Sequence, residues 1–144
     1  MNNMFTISAT EARKEWSSVI DTVVREKPAF VTRTRDLIIL SNLQTMEALL
    51  ERYSFTAEEF IEDNGSVTLS LNEIDLVVNS ETKEKAVLML AEELKEYAEE
   101  YYNEFNFWSN APNRKSHLPY VLKVLLLDDI NKIGATVKCQ PGKN

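Results

Sequence analysis

The sequence predicts an α+β protein of two modules, and three observations lead there. Apolar residues recur at helical spacing (Ala12, Trp16, Val19, Ile20, Val23) and then give way to β-branched and apolar runs at 29–34 and 37–40. An Asn64-Gly65 pair separates two partly alternating stretches, a strong short-range hairpin signal. Charge also divides unevenly: residues 1–53 hold seven Lys/Arg and seven Asp/Glu, so the net charge of −7 belongs wholly to residues 54–144. The expectation is a small sheet with two helices over residues 1–53, followed by an antiparallel β-meander with two helices over 54–144.

The first module opens with a strand near residues 4–7 and a helix over about 9–25. Ser8 suits the N-cap, and Glu11 three residues on completes a capping box. Arg13 and Lys14 follow on the first turns, where the positive end of the helix dipole disfavours cations. Charges set against that preference suggest an anionic partner such as DNA phosphate. Pro28 stops the helix. Residues 29–34 form a strand with Val31 and Arg33 on one face. The following Arg35-Asp36 pair is poor for a tight hairpin, because neither residue favours positive φ, so a longer loop is expected. Residues 37–40 (Leu-Ile-Ile-Leu) read as a strand covered on both faces. Asn42 then caps a second helix carrying Leu43, Met46, Leu49 and Leu50 on one side. About fifty residues make a thin core, so dimerisation through this helix and the strand edge is expected to supply the missing burial.

The second module begins near Tyr53. Strands are expected over 53–62, 66–71 (Val67, Leu69 and Leu71 on one face) and 74–78. Ser80 is the expected cap of a long helix over about 82–108. Its core stripe is Val87, Leu90, Leu94, Tyr97, Tyr101, Phe105 and Trp108, and its other side is rich in glutamate. After a loop at 110–114, Ser116 caps a last helix over about 118–128, apolar nearly all round, with Asp128 and Asp129 late in it. A short strand at 135–139 ends the pattern.

Composition excludes several classes. The single cysteine, Cys139, cannot form an internal disulfide or a cysteine metal cluster. Nothing reads as a signal peptide or a membrane span, so a soluble cytoplasmic protein is expected. No Gly-rich phosphate loop or nucleophile elbow occurs. Consecutive glutamates on a helix do not face one another, so they make no acid/base pair. His117, the only histidine, suits a cap or a core hydrogen bond better than catalysis. No catalytic residue, metal or cofactor is therefore assigned. The acidity of the second module does not exclude nucleic acid from the first, because DNA binding needs only a local basic surface.

Thr10-Glu11-Ala12-Arg13 with Trp16, Ile20 and Val23 resembles the opening of the Phd/YefM family of type II antitoxins. So does the continuation Lys27-Pro28-Ala29-Phe30-Val31-Thr32-Arg33, Leu37-Ile38-Ile39-Leu40 and Met46-Glu47-Ala48-Leu49-Leu50-Glu51. The resemblance covers residues 1–53 and departs at the hairpin and at Met46, where the family typically has Tyr. It implies a homodimer that binds operator DNA through Arg13 and Arg33, with Lys14 and Arg35 as added phosphate contacts. It further implies a C-terminal portion that neutralises a toxin of the RelE/ParE kind. The second half also resembles a domain appended to such modules in Gram-positive antitoxins, on the strength of Asn113-Arg114-Lys115 and His117-Leu118-Pro119-Tyr120. The candidate toxin-facing residues are Glu92, Glu96 and Glu100, complementary to a basic toxin, and Asn113, Arg114, His117 and Tyr120. A stand-alone transcriptional regulator, or a ligand-binding or enzymatic domain with residues 113–120 as its pocket, remains open on the residues alone.

Overall fold

A computed structural model describes residues 5–143 and resolves them into two compact units, Met1–Leu49 and Leu50–Asn144. The fold is α+β, with one sheet and its own helices in each unit.

In the first unit, β1 (Thr6–Ser8) pairs in parallel with β2 (Ala29–Arg33), which pairs antiparallel with β3 (Asp36–Leu40). Met4, expected in the first strand, lies outside the described residues. Ser8 caps as its chemistry dictates, its Oγ accepting the Glu11 N–H at 3.1 Å. The expected single helix is two: α1 (Ala9–Lys14) and α2 (Trp16–Arg25), bent at Glu15 (φ −107°, ψ 31°). The hydrogen-bond ladder continues through the bend, with Glu15 N–H on Glu11 O and Val19 N–H on Glu15 O. No Pro or Gly marks this site, though Ser17-Ser18 follows it, a pairing common at kinks. The bend withdraws the dipole argument for Arg13 and Lys14, which stand in the last turn of α1, where cations are welcome.

The hairpin also differs from expectation. It is tight, with Arg33 paired to Asp36 and only Thr34-Arg35 between them. Thr34 takes φ 55°, a left-handed conformation that a β-branched side chain resists. Strand β3 is the sheet edge, and Leu37, Ile38 and Ile39 are 43, 46 and 57 % exposed, so the two-sided cover expected of this apolar run is absent within one chain. Trp16 and Ile20 likewise face solvent, while Ala12, Val19, Val23 and Val31 form the unit's core. Asn42 caps α3 (Leu43–Leu50) through the Thr45 N–H and reaches back to the Val24 carbonyl, tying α3 to the end of α2.

The second unit is built on β4 (Phe55–Ile61), β5 (Val67–Leu71), β6 (Val77–Ser80) and β7 (Val137–Pro141), in the order β6-β5-β4-β7. The antiparallel meander is present. Gly65 turns its first hairpin at φ 85°, in the left-handed conformation that glycine adopts without strain. Strand β7 extends the meander by pairing parallel to β4. The expected third strand starts later, because Ile74 is buried in the preceding loop.

Helix α4 (Lys83–Asn103) covers the sheet, its Leu90, Leu94 and Tyr101 packing with Phe55, Leu69 and Ile74 in one core. Its cap is Thr82, whose Oγ1 accepts the Lys85 N–H, and not Ser80, the last residue of β6. The helix bends at Glu104 (φ −119°, ψ 47°) into α5 (Phe105–Asn110), which turns Phe105 out of the expected core stripe. A 3-10 turn (Lys115–His117), without a side-chain cap from Ser116, leads into α6 (Leu118–Leu127). Only Val121 and Val124 of α6 are fully buried. Asp128 and Asp129 are not inside this helix. Asp128 (φ 59°) ends it, and Asp129 Oδ1 caps a further helix, α7 (Ile130–Ala135), accepting the Asn131 and Lys132 N–H groups.

Candidate functional site

The first unit gathers four cations. Because β1 and β2 are parallel, Ser8 lies beside Thr32, and the start of α1 meets the hairpin tip at one end of the sheet. Arg13 and Lys14 stand in the last turn of α1, while Arg33 ends β2 and Arg35 lies in the hairpin turn. All four are exposed, and none forms an ion pair among the described residues. Exposed cations outside any ion pair are free to meet phosphate.

The second unit has two distinct surfaces. Glu92, Glu96 and Glu100 follow one another at intervals of four on α4, so they share one outward face, all exposed. The residues of the 113–120 stretch are otherwise occupied. Asn113 is exposed. The Arg114 guanidinium lies 5.6 Å from the Tyr97 ring centre and 5.7 Å from that of Trp108, a double cation–π contact. Its backbone carbonyl accepts the Tyr101 hydroxyl at 3.1 Å. His117 is buried, with Nδ1 2.7 Å from the Tyr97 hydroxyl, an arrangement that either neutral tautomer satisfies. Tyr120 packs edge-on against Tyr53 and tilts against Phe55, while Lys123 donates to the Tyr53 carbonyl.

Burial pushes the Tyr97 hydroxyl pKa up, with Arg114 opposing, and pushes the His117 imidazole below its usual value, with Arg114 reinforcing and Asp75 opposing. Burial likewise raises Tyr101, Tyr120 and Cys139. In each case burial favours the neutral form. The Trp108 indole N–H is buried without an acceptor among the described residues. Arg114 and His117 therefore tie the 3-10 turn to α4 and α5, while Tyr120 ties α6 to the start of β4. Among the described residues no group of His, Cys, Asp and Glu could hold a metal ion.

The family model that matches this chain over residues 1–139 is the PHD-like one, described as an antitoxin of toxin–antitoxin, RelE/RelB, TA system. The chain belongs to this antitoxin family. A solved structure agrees with that assignment: the antitoxin part of a proposed toxin/antitoxin system from Syntrophomonas wolfei subsp. wolfei. It is 42% identical, covers 96% of this chain and 100% of its own, and superimposes with a TM-score of 0.90. No curated protein matches the antitoxin. Family membership implies a cognate toxin, and no helix of the antitoxin is long and apolar enough to cross a membrane.

Two surfaces escaped the sequence reading. Trp16, Ile20 and Val24, spaced four apart on α2, form an exposed apolar stripe. Tyr102, Phe105 and Phe107 are exposed around the α4–α5 bend. Phe107 was legible, since it stands one position off the stripe of Phe105 and Trp108. The outward turn of Phe105 was not, because nothing in the composition announces the bend.

Proposed function

We propose that the antitoxin is of the Phd/YefM type and acts in the cytoplasm without catalysis. Residues 1–53 form a homodimer that binds operator DNA and represses the protein's own operon. Residues 54–144 bind and neutralise a basic toxin of the RelE/ParE kind. The observation that carries the DNA reading is that Arg13, Lys14, Arg33 and Arg35 are all exposed on α1 and the β2–β3 hairpin and form no ion pair among the described residues. The homodimer draws support from the uncovered apolar side chains of α2, β3 and α3, whose exposure a second copy would relieve. The toxin reading draws on the exposed glutamate face of α4 and on the acidity of residues 54–144.

Arg13→Ala is expected to cost about 1–3 kcal/mol against the upstream DNA and to narrow the gap between operator and random sequence. Arg33→Ala, as a phosphate contact, should weaken every sequence alike and flatten the salt dependence. Mobility-shift titrations at two salt concentrations decide the matter. Wild-type affinity in both variants would end the DNA reading.

A further inference from the structure

We infer that the outward side of the α4–α5 bend is where a basic protein partner docks, with Tyr102, Phe105 and Phe107 as its anchors and the flanking glutamates as its steering charges. This rests on the reading that the chain neutralises a basic toxin, and it specifies which surface does so and how the work divides.

Single exposed apolar side chains are ordinary on a protein surface. Three aromatics within six residues, 62, 38 and 66 % exposed around one bend, are not ordinary. They are also held from beneath. Phe105 leans edge-on against Tyr101 at 5.9 Å, and Phe107 against Trp108 at 5.2 Å. Tyr101 and Trp108 stack at 6.4 Å, both rings meet Tyr97, and Arg114 covers Tyr97 and Trp108. Phe105 and Phe107 are thus the open end of a ring ladder fixed in the unit's core. Rings fixed before binding lose little freedom on binding, which is the property of an interface anchor.

Charge selects the occupant. Glu92, Glu96, Glu99, Glu100 and Glu104 are exposed along the same stretch, and none is engaged in an ion pair among the described residues. The aromatics could stack on bases, but a polyanion would meet these carboxylates at every approach. A second copy of the chain would bring like charges together on the same terms. A cationic protein surface with an apolar pocket fits both features, and hot spots of this composition are usual for aromatic residues ringed by polar ones.

The test uses the full chain and, as probe, the protein encoded by the adjacent reading frame, with binding followed in real time. Phe107→Ser and Tyr102→Ala are expected to weaken affinity about tenfold or more through faster dissociation. Glu92, Glu96 and Glu100 changed together to Gln should slow association severalfold at low salt and leave dissociation unchanged. Tyr102→Ala serves where Phe107→Ser fails to fold. Wild-type dissociation rates in the aromatic variants, with the wild-type chain still binding the probe, would overturn the docking surface alone. Failure of the wild-type chain to bind the probe would overturn the toxin reading with it. A change in the sedimentation of Phe107→Ser by itself would assign the patch to a second copy and overturn the proposal.

Discussion

His117 illustrates how little a residue type says about its work. A lone histidine beside a tyrosine and an arginine resembles catalytic equipment, yet the three residues are packed on one another by a hydrogen bond and ring contacts. Its depressed pKa has a consequence for stability. The unfolded chain takes up a proton below about pH 6.5, and the folded chain resists doing so. The contribution is therefore complete above that value and is lost as pH falls toward the folded pKa. Gln at this position keeps an acceptor for the Tyr97 hydroxyl and cannot titrate. His117→Gln should accordingly show a smaller drop in melting temperature between about pH 7 and pH 5 than the wild-type chain, and an equal drop would refute the linkage. Thr34 is the opposite case, a residue whose local preference is overridden. A left-handed β-branched residue costs about 1–2 kcal/mol, and glycine returns part of any gain as chain entropy. Thr34→Gly is expected to stabilise by about 0.5–1 kcal/mol in urea titrations, and a loss of stability would show that the threonine is unstrained.

At the scale of elements, strands, caps and turns were legible where a residue has one dominant local role. Ser8, Asn42 and the Asn64-Gly65 turn act as their chemistry requires, because their bonds close within a few residues. Bends were not legible. Glu15 and Glu104 are good helix formers, and each continues the hydrogen-bond ladder, so neither carries a signal. The Asp128-Asp129 pair, expected late in the last helix, instead separates two helices, and the Asp129 carboxylate suits the start of the second. Arg13 and Lys14 drew notice by their place on the first helix, an argument the bend removes, while Arg33 and Arg35 came only through ordered motif resemblance, since the first module is neutral overall. The outward turn of Phe105 stayed hidden because it depends on a bend.

The whole molecule is uneven in its packing. The second unit encloses Phe55, Leu69, Ile74, Leu90, Leu94, Tyr101, Val121, Val124 and Ile133 almost completely. Among the described residues the first encloses only Ala12, Val19, Val23 and Val31, while larger side chains such as Trp16 and Ile39 remain open. A fragment of residues 50–144 should therefore melt cooperatively at a temperature independent of its concentration. A fragment of residues 1–53 should melt at a temperature that rises with concentration, as a chain that completes its core with a second copy must. Sedimentation of the smaller fragment as a folded monomer would contradict this.

Strand β7 also sets an order of events during synthesis. Its partner β4 emerges about eighty residues earlier, so until residues 137–141 leave the ribosome β4 has β5 on one side and an open edge on the other. The first unit, whose strands are complete by Leu40, meets no such delay. A translating ribosome thus releases the cation-bearing half ready to fold well before the acidic half can close its sheet. A chain interrupted before Val137 would keep the one and lack the other, with an exposed strand edge that invites proteolysis or aggregation.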